Sequence, residues 1–153
     1  TNFYMELITG QDNPILRQKS RPVEHLNQEV YSLIGEMKRL MHENDGVGLA
    51  AIQVGRPSRI IVISDPDRNK DLVFINPEII KQSRETETLA EGCLSLPNYE
   101  NSIARPIRII LKATTEDGKK IKFKASHLLA RIIGHEIDHL KGILISDYPQ
   151  TKP

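Results

Sequence analysis

The segment His135-Glu136-Ile137-Asp138-His139 constrains this chain more than any other. Two histidines four residues apart on a helix project from the same face, one turn apart, so their imidazoles can share one metal ion. The glutamate between them can then lie beside a metal-bound water. The alternative is a chance pair of histidines on a helix surface. We favour the metal site, because the surrounding residues make the helix apolar on most sides and buried imidazoles need polar partners.

Local signals predict a helix around this motif. Ser126 is the expected N-cap, and Gly142 is the expected stop just after Lys141. Apolar residues recur at helical spacing through the segment, namely Leu128, Leu129, Ile132, Ile133 and Ile137.

Composition places the chain in the ordinary globular class. It has 153 residues, of which 39% are hydrophobic and 27% charged, enough for one domain over residues 1–153. A net charge of +1 offers no electrostatic case for binding nucleic acid or membrane surfaces. The single cysteine excludes an internal disulfide, and no apolar run reaches the length of a membrane span or a signal segment. We therefore expect a cytoplasmic protein.

The pattern along the chain predicts an α+β fold. Residues 26–41 carry an amphipathic helical stripe that ends at Asn44-Asp45-Gly46. We expect strands at 59–64, 72–76, 79–87, 107–114 and 119–125, with Pro77 ending the second of them. Residues 91–97 are expected to form a compact loop, and both termini, 1–25 and 147–153, are expected to be irregular.

A third metal ligand is needed, because catalytic sites of this type use three protein ligands and leave one position open. Cys93 is the only thiol and the best third ligand by elimination, although an aspartate or glutamate stays open. The small residues of 46–53 leave room for a backbone or a ligand to come close.

Three segments carry a family resemblance: Gly46-Val47-Gly48-Leu49-Ala50-Ala51-Ile52-Gln53, Glu91-Gly92-Cys93-Leu94-Ser95 and the His135 motif. In type, order and separation they resemble the three signature motifs of the peptide deformylase family. The resemblance covers nearly the whole chain. The third motif alone would be less specific, since many metalloproteases share it.

The resemblance implies a site and a reaction. One divalent metal per chain would be bound by Cys93, His135 and His139, with Fe(II) native and Zn(II), Ni(II) or Co(II) possible in preparations. Glu136 would act as general base and then acid, while the Gln53 amide and the Leu94 backbone N–H would stabilise the oxyanion. The substrate would be the formyl-methionine end of newly made polypeptides near the ribosome, and formate would be released. The residues near the substrate would be Val47, Gly48, Leu89, Glu91, Gly92, Leu128 and Ile132.

The resemblance also implies short, mostly antiparallel strands around a central metal-binding helix. Two positions depart from the family pattern: Gly134 replaces a usual glutamine, and Arg131 stands where an apolar pocket residue is expected. Asp138 has two possible roles, a surface ion pair or orientation of a metal-binding imidazole. Arg105 has two alternatives, a structural role or binding of a carboxylate, and we favour the structural role.

Two rival functions use the same helix. A zinc endopeptidase would need neither Cys93 nor the 46–53 segment. A structural metal protein would need four protein ligands and no general base. Both are therefore less favoured than a deformylase.

Overall fold

The computed structural model describes residues 5–150, so the ends of the expected irregular termini lie outside the described residues. The first helix, α1, spans Gln28–Glu43. It begins where the Asn27 side chain accepts a hydrogen bond from the Val30 backbone N–H, which satisfies one of the free donors of the first turn. Its buried face consists of Leu33, Ile34, Met37, Leu40 and Met41, part of the predicted stripe.

Seven strands follow: β1 Gly48–Ala50, β2 Ile60–Asp65, β3 Lys70–Gln82, β4 Thr86–Cys93, β5 Leu96–Pro106, β6 Arg108–Thr114 and β7 Lys120–Ser126. They form a five-stranded antiparallel sheet in the order β1-β2-β3-β6-β7 and a separate β4-β5 hairpin. The predicted α+β class with antiparallel strands is confirmed.

Three predictions about the strands were wrong. The expected strand 79–87 is divided, because β3 ends at Gln82 and β4 begins at Thr86. Pro77 does not end a strand, because β3 continues through it and a register shift between Ile75 and Glu78 absorbs the missing N–H. Residues 91–97 are not a loop, because they form the end of β4, a two-residue turn and the start of β5. The sequence analysis had no strand corresponding to β5.

The second helix, α2, spans His127–Leu140, with Ser126 at the N-cap position as predicted, although its side chain makes no capping hydrogen bond. Short 3-10 helices lie at Pro14–Arg17, Ala51–Val54 and Ile145–Asp147. Among the described residues, neither helix is both long and apolar enough to cross a membrane.

The two helices pack on opposite faces of the larger sheet. Residues of α1 share a core cluster with Ile60, Val62, Val73 and Ile75. Residues of α2 share another cluster with Ile61, Ile63, Phe74, Ile109 and Leu111. Because neighbouring strand residues point to opposite faces, these two sets lie on the two sides of the sheet. The α2 helix also contacts β5, so it joins the sheet to the hairpin.

Candidate metal centre

Three predicted ligands come together where the hairpin meets α2. Cys93 ends β4, and His135 and His139 lie one turn apart on α2. Their ligand atoms all lie within 4.8 Å of one another, and the Cys93 Sγ is 3.4 Å from the His139 Nε2. His135 and His139 are 9% and 1% exposed, so both imidazoles are held inside the protein.

The donor set fits a divalent metal ion. The His139 Nδ1 and the Glu136 Oε1 are buried and have no hydrogen-bond partner in the part of the chain that the structure describes. A thiolate and two imidazoles suit Zn(II) or Fe(II), and three ligands leave a coordination position open. The His139 Nε2, which is the nitrogen that faces the thiol, would bind the ion, and the buried Glu136 Oε1 would be free to bond a water molecule beside it.

Glu136 lies beside this site and against the backbone of β1. A Cβ placed on Gly48 would lie only 2.5 Å from the Glu136 Oε2, so the carboxylate occupies the space that a side chain would need. Burial raises the pKa of Glu136 to about 7, although the positive charges of His135 and Arg105 oppose this shift. A carboxylate with this pKa can exchange a proton near neutral pH.

Gln53 presents its amide N–H groups towards the ligands. Its Oε1 accepts a hydrogen bond from the Ala50 N–H at 2.9 Å, and this contact sets the orientation of the amide. The Nε2 then donates to the Ser95 Oγ at 3.0 Å and lies 3.7 Å from the Cys93 Sγ. Leu94 lies in the turn between β4 and β5, next to Cys93.

Glu91 orients His135, a role that the sequence analysis missed. Its Oε1 is 2.9 Å from the His135 Nδ1, which leaves the other ring nitrogen for the metal. Arg105 and Arg131 donate to the same carboxylate at 2.5 and 2.6 Å. Burial alone would raise the pKa of Glu91, but the hydrogen bonds of His135 and Arg105 lower it to about 2, so Glu91 is charged.

The histidines respond differently to the same surroundings. Burial lowers the pKa of His135, but the charge of Glu136 and the bond to Glu91 help raise it to about 10. Burial and the positive charge of His135 hold the pKa of His139 well below its usual value. In the metal-free site the positive charge is therefore held by His135, and His139 is neutral.

Asp138 does not contact an imidazole. Its Oδ2 accepts hydrogen bonds from the Arg105 Nη1 at 3.0 Å and from the Tyr148 hydroxyl at 2.6 Å. Arg105 thus lies between two carboxylates, those of Glu91 and Asp138. Arg131, where an apolar residue was expected, is 5% exposed and also donates to the Ile103 carbonyl at 2.8 Å.

A cavity of about 740 Å³ opens above the ligands, with Cys93, His135 and Glu136 among the residues that line it. Leu89, which was also expected near the substrate, does not line this cavity. It is 44% exposed on β4, where it pairs with Ile103. The sequence analysis did not identify Asn98, Tyr99 and Glu100, which line the cavity from the unpredicted strand β5. The other expected substrate residues do line the cavity: Val47, Gly48, Glu91, Gly92, Leu128 and Ile132, together with Gln53 and Leu94.

A cysteine and two histidines beside a desolvated carboxylate, at the base of an open cavity, are typical of metal-dependent hydrolases. Comparison with known proteins narrows this class. A sequence model of the polypeptide deformylase family matches residues 5–152. The peptide deformylase of Bartonella quintana (strain Toulouse) is 46% identical over 140 residues, which are 89% of this chain and 79% of that protein.

Solved structures agree with this match. The crystal structure of peptide deformylase from Ehrlichia chaffeensis in complex with actinonin is 37% identical, with a TM-score of 0.91 over 95% of this chain and 88% of that one. This chain belongs to the polypeptide deformylase family and is an enzyme, as the sequence resemblance implied. The family is metal-dependent and removes the formyl group from the amino termini of nascent peptides.

Proposed function

We propose that this chain hydrolyses the N-formyl group of the formyl-methionine that begins newly made polypeptides, and releases formate and a free amino terminus. The observation that carries the proposal is the convergence of Cys93, His135 and His139 within 4.8 Å, next to the unpartnered Glu136 Oε1. The polypeptides would be met near the ribosome in the cytoplasm.

Cys93, His135 and His139 would hold one divalent metal per chain. We propose Fe(II) as the native ion, with Zn(II), Ni(II) or Co(II) able to replace it in preparations, since the donors suit each of them. When bound, the ion supplies Lewis acidity, which lowers the pKa of a water molecule towards neutrality. Glu91 keeps the His135 ring in a fixed orientation for this binding.

Glu136 would be the general base and then the general acid. Its Oε1 has no other partner among the described residues, so it is free to accept the proton of the attacking water. It would then return that proton to the amino nitrogen as the bond to the formyl carbon breaks. In the metal-free protein, burial raises the pKa of Glu136 to about 7, which is in the range where a carboxyl group can both accept and donate a proton at neutral pH.

The oxygen of the formyl group would gain negative charge as its carbon becomes tetrahedral. The Gln53 Nε2 and the Leu94 backbone N–H would donate to this oxygen. Such fixed donors are worth about 3 kcal/mol each in a dry site. The orientation of the Gln53 amide is set by the bond from Ala50. One of its N–H groups donates to the Ser95 Oγ, so the N–H near the Cys93 Sγ would serve the oxyanion.

The methionine side chain would lie against apolar residues of the cavity. Ile132 is buried, while Val47 and Leu128 are 54% and 50% exposed and could be covered by a bound substrate. Gly48 and Gly92 would let the peptide backbone approach. Leu89 does not line this cavity and is left out of the proposed pocket, whereas Glu91 would act through His135.

The test is formate release from formyl-Met-Ala-Ser by anaerobically purified protein whose metal content is measured on the same sample. Cys93→Ala should lose the metal, because two imidazoles alone make an incomplete site. Glu136→Ala should keep the metal and lose about 10²–10⁴-fold in kcat. Near-normal turnover of Glu136→Ala, or full metal occupancy of Cys93→Ala, would contradict the assignment.

Two substrate controls separate the rival activities. Acetyl-Met-Ala-Ser should be hydrolysed far more slowly, because a methyl group is bulkier and makes the carbonyl less reactive. Cleavage of the internal Ala-Ser bond would indicate an endopeptidase. Equal rates on formyl and acetyl peptides would indicate a broader amidase.

A further inference from the structure

One face of the large sheet carries six exposed cations that the catalytic site does not use. We call this surface the basic face, and all of its cationic side chains are exposed. It comprises Lys81 on β3, Arg108 and Lys112 on β6, and Lys120, Lys122 and Lys124 on β7.

The strand register brings these cations to the same side. Residues directly opposite each other in a ladder point the same way, and so do residues two apart in one strand. Lys112 pairs with Lys122, while Ile110 pairs with Lys81 on one side and Lys124 on the other. Arg108 and Lys120 follow at two-residue steps along β6 and β7.

The basic face has little internal compensation. Among described residues of these strands, two carboxylates lie on the same face: Glu78, whose Oε2 is 3.4 Å from the Lys112 Nζ, and Asp71, which pairs with His42 of α1. Six cations and two carboxylates give the face a formal charge of +4, whereas the whole chain has +1, so the remainder sums to −3. Like charges directly opposite, such as Lys112 and Lys122, destabilise a sheet. The fold therefore keeps these lysines although the repulsion between them lowers its stability.

The shape of this surface selects among anionic partners. Ile75, which packs against α1, pairs with Thr114 of β6, so α1 lies on the same side of the sheet as the basic face. A helix with its side chains is about 10 Å across, so α1 forms a wall of that height beside the lysines. A planar membrane would meet α1 before it reached the strands, whereas a chain-like polyanion can lie alongside the helix.

One end of the surface is concave. A depression of about 480 Å³ there is lined by Lys81, Arg108 and Lys124, with Ser83 and Ser126 beside them. The Ser83 hydroxyl already donates to the Glu85 carbonyl, so the groups that match the oxygens of a phosphate are the three cations and the Ser126 hydroxyl. No aromatic residue of β6 or β7 lies on this face, so it has no platform on which bases could stack.

We propose that the basic face binds the phosphate backbone of RNA without selecting its sequence. The choice of RNA over DNA rests on the proposed function, because a nascent polypeptide is attached to RNA while it is being made. The binding surface lies on the sheet face opposite α2, so RNA and the formylated peptide would occupy different sides of the enzyme.

The test is fluorescence anisotropy with fluorescein-labelled oligo(U) and oligo(A) RNA, at KCl concentrations from about 50 to 200 mM. The variant is Lys120→Gln/Lys122→Gln/Lys124→Gln. The matched control is Lys19→Gln/Arg21→Gln/Lys141→Gln, which removes the same charge from exposed sites outside the basic face. Formate release and thermal melting are measured on every protein.

Wild type and control should bind both RNAs equally, with affinity that falls as KCl rises. Each lost phosphate contact removes about 0.7 from the slope of log K against log[salt] for single strands, so the triple variant should lose about 2. A variant with arginine at the same three positions should retain binding. All variants should release formate at the wild-type rate, which separates this proposal from the catalytic one.

Other outcomes would overturn the proposal. These are no RNA binding by wild type, equal weakening in variant and control, or binding to vesicles of phosphatidylserine and phosphatidylcholine in place of RNA. Aggregation of the glutamine variant without RNA binding by wild type would show that the lysines only protect β7 as an edge strand.

Discussion

At the scale of single residues, the carboxylate that faces position 48 explains why this residue is a glycine. Any side chain there would enter the space of the Glu136 Oε2, since an added Cβ would lie 2.5 Å away. This oxygen belongs to the proposed general base, so a side chain at position 48 would have to displace the Glu136 carboxylate.

Gly48→Ala should therefore reduce kcat strongly while the metal stays bound. A displacement of about 1 Å can cost about 100-fold in rate. Steady-state kinetics with metal analysis measures both effects. The control is Gly35→Ala, where an added Cβ meets nothing within 4 Å and activity should be unchanged. Wild-type kcat in Gly48→Ala would show that Glu136 can move without loss.

Arg131 is a second residue whose identity depends on its surroundings. A buried guanidinium is stable only when paired, and Arg131 pairs with Glu91, whose carboxylate also binds His135 and Arg105. The residue that seemed to disturb an apolar pocket instead supports the carboxylate behind a metal ligand.

At the scale of elements, α2 contains an avoidable weakness at Gly134. An added Cβ would lie 3.5 Å from the Arg105 Nη1 and 3.6 Å from its Cδ, which are ordinary contact distances. The interior of a helix prefers alanine to glycine, because glycine loses more backbone entropy on folding.

Gly134→Ala should raise the free energy of unfolding by up to about 1 kcal/mol, measured by urea denaturation. Gly142→Ala is the opposite case, because Gly142 has φ 76° and its Cβ would lie 2.5 Å from the Arg17 carbonyl oxygen. That variant should be destabilised. A loss of stability in Gly134→Ala would mean that the contact with Arg105 is closer than ordinary packing allows.

The turn between β2 and β3 is held by Asp65. Its Oδ1 accepts hydrogen bonds from the backbone N–H groups of Asp67 and Arg68, and its Oδ2 pairs with the Arg68 guanidinium at 2.7 Å. Burial opposes ionisation, but the Arg68 side chain and the two backbone bonds hold the pKa of Asp65 below its usual value of 3.8.

A folded-state pKa below the unfolded one stabilises the fold above the unfolded pKa, and this stability is lost as pH falls through the folded pKa. Asp65→Asn should thus be less stable than wild type at neutral pH, and the difference should shrink below about pH 3.8. Urea denaturation at several pH values measures it. Asp67→Asn, at an exposed neighbour, should follow the wild-type profile. A pH-independent difference for Asp65→Asn would assign its effect to turn geometry alone.

At the scale of the whole molecule, the metal centre connects two parts of the fold. Cys93 comes from the β4-β5 hairpin, whereas both histidines come from the helix packed on the large sheet. A metal bound by all three ligands would therefore hold the hairpin against α2.

Removal of the metal with a chelator should lower the melting temperature, since an ion that binds the folded state at 100 times its Kd adds about 2.7 kcal/mol. Differential scanning calorimetry of loaded and stripped protein measures the shift. Cys93→Ala should melt at the same temperature with and without added metal. A shift of wild-type size in that variant would mean that the ion binds without the thiolate.

The sequence alone determined what is local. Two histidines on one helix face follow from helical periodicity, and the N-cap position of α2 and the apolar stripes of both helices follow from nearby residues. The motif order sufficed to recognise the family, which the comparisons confirm. Net charge, by contrast, is a sum over the whole chain, so its value of +1 gave no indication of the basic face.

Only the tertiary structure decided what depends on strand register. Glu91 meets Arg105 and Arg131 across spacings of 14 and 40 residues, and Lys81 joins the lysines of β7 through Ile110 of β6. A local sequence pattern predicts neither the bulge by which β3 continues past Pro77 nor strand β5 itself. Ladder pairing joins residues far apart in sequence, so which side chains share a face is decided by the alignment of whole strands.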